Sequence, residues 1–135
     1  MISVIVITHG QFGQELLRTA QDIVGRQEAV AALAVTPDMG PENVSQALEE
    51  ALTRLASPQG TLIFVDMLGG TPCNTALLKT KNKNAEVLTG VNLYMLLSSF
   101  THREQMDLKA LAAKVTEDGR RAIVSAKDLL AKKMA

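Results

Sequence analysis

Two stretches of this chain place reactive side chains directly after apolar runs. Residues 2–7 read Ile-Ser-Val-Ile-Val-Ile, and Thr8-His9-Gly10 follows. Residues 61–65 are apolar in the same way, and Asp66-Met67-Leu68-Gly69-Gly70-Thr71-Pro72-Cys73-Asn74 follows. An imidazole nitrogen can attack phosphorus and hold the phosphoryl group as a labile N–P bond, one of the covalent roles open to histidine. The other ring nitrogen must then keep its proton and point at an acceptor. A carboxylate does this, fixing the tautomer and stabilising the imidazolium. His9 and Asp66 suit these two roles if their strands are neighbours. The phosphoryl oxygens need donors. Backbone N–H groups around Gly10 to Phe12 and Gly69 to Thr71, with the Thr71 hydroxyl, can supply them. Positioning and oriented dipoles carry much of phosphoryl transfer, so neither a metal nor another cofactor is expected. One cysteine and two distant histidines show no metal-ligand spacing.

The elements that would bring these residues together are legible as a pattern. The near-continuous apolarity of residues 2–7 suggests a strand covered on both faces, as in a parallel sheet. Phe12, Leu16, Leu17, Ala20, Ile23 and Val24 then recur at helical spacing, with Gly25 a plausible stop. Residues 30–35 make a weaker strand. Pro41 opens a second helix, with Val44, Ala47, Leu48, Ala51, Leu52 and Leu55 on one stripe. The Gly69-Gly70 pair allows a sharp turn, Thr71 is a good N-cap, and Pro72 is preorganised for the first helical position. That helix fades before the polar run 79–84, which reads as a solvated loop. Residues 86–89 form a short strand, Asn92 caps the next helix, and residues 107–116 hold another. Glu117-Asp118-Gly119 reads as a turn and residues 122–124 as a short edge strand. Ser125 with Asp128 resembles a capping box before a last helix.

Strands alternating with helices imply an α/β fold with a mainly parallel sheet and helices on both faces. Ligands in such sheets bind at the carboxyl ends of the strands, where the strand order reverses. The loops after the first and third strands commonly flank that point, which puts His9 beside Asp66. Each residue also has a plainer role. His9 could sit in a solvated loop, Asp66 could cap the next turn, Gly69-Gly70 could serve only the chain reversal, and Thr71 only its helix. His102, in Thr-His-Arg-Glu, reads as surface, and Cys73 as a small packed side chain.

Composition excludes several classes. The chain of 135 residues fits one domain with a sizeable core, and 47% hydrophobic residues exclude a disordered one. The formal net charge is zero, so long-range attraction to nucleic acid or anionic membrane is not expected. Aromatics are limited to Phe12, Phe64, Phe100 and Tyr94, too few for base-stacking platforms. No apolar run reaches membrane-spanning length, and no basic region precedes the first strand as in a signal peptide, so the expected compartment is the cytoplasm.

The strings Thr8-His9-Gly10, Val65-Asp66-Met67-Leu68-Gly69-Gly70-Thr71-Pro72-Cys73-Asn74 and Thr89-Gly90-Val91-Asn92-Leu93 resemble, in order and separation, the enzyme IIA domain of the mannose-type sugar phosphotransferase system (PTS). The resemblance covers essentially the whole chain, as a single domain over residues 1–135. It implies a three-layer α/β/α fold with a four-stranded parallel sheet in order 2-1-3-4. An antiparallel fifth strand, here residues 122–124, would be exchanged between the subunits of a homodimer. It further implies a cytoplasmic phosphotransferase component that takes phosphate from the histidine phosphocarrier protein HPr and passes it to a IIB domain. His9 would be the phosphorylated residue, Asp66 its hydrogen-bonding partner and Thr71 a supporting hydroxyl, with Gly10, Gly69 and Gly70 around the phosphate. No linker to a IIB domain follows the last helix, so IIB is expected as a separate protein. The membrane would be met only through a IIC/IID permease. The same site residues would serve a regulatory phosphocarrier module or the phosphoryl donor of a dihydroxyacetone-type kinase. A small anion- or nucleotide-binding protein lacks support, since neither Gly-x-Gly-x-x-Gly nor a phosphate-loop lysine motif is present.

Overall fold

The structure is a computed structural model and describes residues 1–134. Four strands, β1 (Ser3–His9), β2 (Val30–Val35), β3 (Thr61–Val65) and β4 (Ala85–Leu88), form one parallel sheet in the order β2-β1-β3-β4. The order expected from the resemblance is the one observed. β1 is central, and every residue from Ser3 to Thr8 is buried, as its unbroken apolarity implied.

The pleat sends alternate side chains to two separate cores. Val4, Val6, Leu62 and Phe64 pack beneath α1 (Phe12–Val24), α4 (Leu93–His102) and α5 (Leu108–Arg121). Ile5, Ile7, Ile63 and Val65 pack beneath α2 (Pro41–Arg54) and α3 (Thr71–Thr80). The result is a three-layer α/β/α arrangement. Gly25 and Pro41 bound their helices as expected, and the Asn92 side chain caps α4 by accepting the Met95 N–H at 3.0 Å.

Several boundaries differ from the sequence reading. Gly70, not Thr71, is the N-cap of α3, and Thr71 is its first helical residue. Lys79 and Thr80 belong to that helix, with the Thr80 hydroxyl donating to Ala76 O and Lys79 pairing with Glu49 at 3.1 Å. β4 lies one residue earlier than expected. Glu117-Asp118-Gly119 is not a turn, because α5 runs on to Arg121. Gly119 serves close packing instead: a methyl there would lie 2.5 Å from Met95 Cγ on α4.

Residues 122–124 form no strand within the chain. Ala122 ends α5, and neither edge of the sheet pairs with this segment. Ile123 is 82% exposed and Val124 is 56% exposed. A terminal helix, α6 (Ala126–Met134), follows and has no buried residue. At its start the Ser125 hydroxyl accepts the Asp128 N–H at 3.4 Å, one half of the expected box.

Arg103 was not singled out by sequence, yet it is 3% exposed. Its guanidinium donates to the carbonyls of Ile2 and Glu28 and to Gln27 Oε1, at 3.2, 2.7 and 3.1 Å. It also lies 5.2 Å from the Phe100 ring centroid. It thereby ties the end of α4 to the chain entering β1 and β2, at the amino ends of the strands, opposite His9.

Candidate functional site

β1 and β3 lie side by side, while the chain runs outward from them to β2 on one side and β4 on the other. Their carboxyl ends therefore mark the point where strand order reverses. Ile7 is aligned with Val65, so the next residues of both strands emerge together. Alternation along β1 separates Thr8 from His9. Thr8 is fully buried under α1, and its hydroxyl accepts the Gly13 N–H at 2.8 Å. Gln11 supplies no side-chain cap to that helix, so Thr8 caps it from the strand below. Sequence reasoning missed this role, although a threonine beside a helix start is its usual signal.

His9 and Asp66 meet as their strand order requires. Asp66 Oδ2 accepts both the His9 backbone N–H, at 2.9 Å, and the His9 ring at Nδ1, at 2.8 Å. Its Oδ1 accepts the Met67 N–H at 3.0 Å. Burial works against the charge on Asp66. The His9 backbone N–H, the His9 ring and its own backbone outweigh it and hold the carboxyl below the usual range. An ionised carboxylate only accepts, so Nδ1 carries the ring proton and Nε2 presents a lone pair. The His9 side chain is 50% exposed against 16% for Asp66, so the ring is half open to solvent while its partner is sheltered.

The ring opens into a cleft of about 560 Å³ lined by Gly10, Val35, Met39, Pro41 and Thr71. The N-termini of α2 and α3 border it, and both favour an anion. Not every expected donor is available. The Gly10 N–H is committed to Val35 O at 2.8 Å, which removes it as a phosphate ligand. Gly10 takes a positive φ of 57° and so contributes the turn itself. Gly69, Gly70 and Thr71 make no N–H donation to another backbone carbonyl among the described residues. Thr71 is the first helical residue, exposed and part of the cleft lining. Asn74, in the first turn of α3, donates Nδ2 to Gly69 O at 3.2 Å.

The remaining candidates stay outside. Cys73, in the first turn of α3, is buried against the sheet. His102 ends α4, half-buried rather than on the surface, with Nδ1 2.9 Å from Ser98 O. Among the described residues no group of three His, Cys, Asp or Glu side chains could hold a metal ion.

The family model described as "PTS system fructose IIA component" (EIIA-man) matches residues 3–116. The chain belongs to the EIIA-man family. The match takes in both strands of the site and the loop that carries Asp66. The EIIA-man chain is 31% identical over 127 residues to the PTS system mannose-specific EIIAB component of Escherichia coli (strain K12), covering 90% of this chain and 39% of that protein. It thus spans about two fifths of the length of that relative. It is 31% identical over 112 residues to the PTS system fructose-specific EIIA component of Bacillus subtilis (strain 168), covering 82% of this chain and 77% of that one. Its fold matches the crystal structure of phosphotransferase system component EIIA from Streptococcus agalactiae. There the TM-score is 0.85 and the identity 29%, with 95% of this chain and 99% of that chain covered. Membership of EIIA-man makes the chain a phosphotransferase-system component of the mannose/fructose type. No helix among the described residues is long and apolar enough to cross a membrane.

Proposed function

We propose that this chain is a phosphoryl carrier of the sugar phosphotransferase system, acting as a single EIIA domain over residues 1–135. It accepts phosphate from phosphorylated HPr on His9 and passes it to a IIB component. The observation that carries this reading is the bond between His9 Nδ1 and Asp66 Oδ2, which leaves Nε2 as the free, half-exposed nucleophile. In the forward step the Nε2 lone pair attacks phosphorus. The N–P bond of the donor breaks, and its electron pair returns to the donor nitrogen. The phosphorylated ring keeps its Nδ1 proton and is cationic, a charge that the fixed carboxylate of Asp66 balances. The α3 N-terminus and the Thr71 hydroxyl face the phosphoryl oxygens. Reversal of the same step delivers the group to IIB.

The surroundings suit repeated docking. Phe12, Met67 and Leu68 are 50%, 55% and 76% exposed, and they lie in the two segments that hold His9 and Asp66. Exposed apolar side chains beside a nucleophile suit partners that bind in turn and leave. Both partners are cytoplasmic proteins, and the carrier meets the membrane only through the IIC/IID permease that IIB serves. The test is the position of the phosphate. Nitrogen and phosphorus NMR of the chain phosphorylated by phospho-HPr is expected to show the group on Nε2 of His9 and its transfer to added IIB. A phosphate on Nδ1 would contradict the role given to Asp66.

The carrier acts as a homodimer in which residues 122–124 pair with the second subunit. Support comes from the chain itself: Ile123 and Val124 are exposed and belong to no strand of the sheet, next to a helix that buries nothing. Exchange of the segment between copies pairs with a sheet edge the backbone that the chain's own sheet leaves out. Ile123→Asp should be nearly neutral in a monomer, since the side chain meets solvent there. In an exchanged dimer it should shift sedimentation at micromolar concentration from dimer to monomer. A wild-type chain that sediments as a stable monomer refutes the exchange.

A further inference from the structure

The two glycines that follow Leu68 are required for different reasons. Gly69 has a φ of +85°, a left-handed backbone, and a Cβ built there meets nothing within 4 Å. Gly70 has φ −81° and ψ 171°, an extended conformation open to any residue. What bars a side chain at position 70 is space. A Cβ there would lie 2.9 Å from His9 Cε1 and 3.5 Å from His9 Nε2. The loop is not free to retreat. Asn74 donates its backbone N–H to Gly70 O at 2.9 Å and its side chain to Gly69 O at 3.2 Å, fixing both carbonyls to the first turn of α3.

We propose that Gly70 is a positioning residue for the His9 ring: its bare Cα closes the Cε1 edge of the imidazole and keeps open the space beside Nε2. The ring then lies between Asp66 at Nδ1 and the Gly70 backbone at Cε1. Cε1 joins the two nitrogens, so a push on it moves both. Nδ1 slides off Asp66 Oδ2, and Nε2 turns away from the α3 N-terminus. A methyl at position 70 would also occupy room that phosphoryl oxygens need. His9 is half exposed and can swing, whereas the loop carbonyls are tied, so the ring is the part that yields. This role rests on His9 being the phosphoryl carrier.

Gly70→Ala tests it with readouts that a purely structural glycine would not move. The backbone angles accept alanine, so the thermal midpoint should not fall. The imidazole nitrogen shifts of His9 should change. The transfer rate at saturating phospho-HPr should drop between roughly tenfold and a hundredfold with KM unchanged, the scale of a small misplacement of reacting groups. Unchanged ring shifts or an unchanged rate in the folded variant overturns the proposal. If Gly70→Ala instead melts early, the double variant His9→Ala/Gly70→Ala decides. Recovery to the His9→Ala midpoint supports the ring contact, and a loss that persists without the ring overturns it. A wild-type chain that takes no label from phospho-HPr would sink the carrier reading separately, with the ring-shift arm still deciding the contact.

Discussion

His9→Gln is expected to abolish phosphoryl acceptance from phospho-HPr while leaving the fold intact. Glutamine reaches a similar distance and can hydrogen-bond, but its amide nitrogen has no lone pair free to attack phosphorus. Loss of a catalytic nucleophile costs several orders of magnitude in rate, because no neighbouring group replaces it. The fold should persist because His9 is 50% exposed and packs in neither core. The one other histidine offers no rescue. His102 ends α4, and a helix C-terminus disfavours phosphate, whereas His9 opens onto helix N-termini. Label that survives His9→Gln, or that maps to His102, would reassign the site.

Asp66→Asn is expected to slow transfer strongly in a protein that still folds. The asparagine oxygen can accept from the His9 ring and backbone, as Oδ2 of Asp66 does. Its amide then faces the Met67 N–H, which loses its acceptor. The larger loss is the negative charge opposite a ring that becomes cationic on phosphorylation. By comparison with removal of one oxyanion-hole donor, the barrier should rise by about 2.7–4 kcal/mol, a rate loss on the order of a hundredfold to a thousandfold. The same variant has a pH signature. The folded state lowers the Asp66 carboxyl below its ordinary value despite partial burial. Its contribution to stability is therefore complete above the unfolded carboxylate pKa and lost as pH falls through the lower, folded one, in the region below about pH 4. Thermal melts of Asp66→Asn should lack that part of the acid loss. Wild-type transfer rates in the folded variant would show that the acid serves structure alone.

The parts of the fold that could be read in sequence are those where local pattern and tertiary environment agree. Residues 2–7 and 61–65 are apolar without alternation because both faces of β1 and β3 are covered. The same runs end in His9 and Asp66, which places the site. Strand order is set by the packing of helices over the sheet and is not written in any one segment; the family resemblance supplied it. Gly119 was misread because glycine marks turns by default, and only the approach of Met95 explains it within a helix. Arg103 sits in a polar string, and its burial depends on carbonyls distant in sequence. The Gly10 N–H was counted as a phosphate donor because its bond to Val35 exists only once β1 and β2 pair. The distinct reasons for Gly69 and Gly70 were invisible for the same cause: one is a backbone angle, the other a distance to a ring.

The most direct test is an intact-mass measurement of the wild-type chain after incubation with phosphoenolpyruvate, enzyme I and HPr, followed by peptide mapping. The expected result is a mass increase of one phosphoryl group, acid-labile, on the peptide that contains His9, and lost again when IIB is added. No mass increase with active enzyme I and HPr, or a phosphoryl group on any other residue, would contradict the assignment of His9 as the carrier.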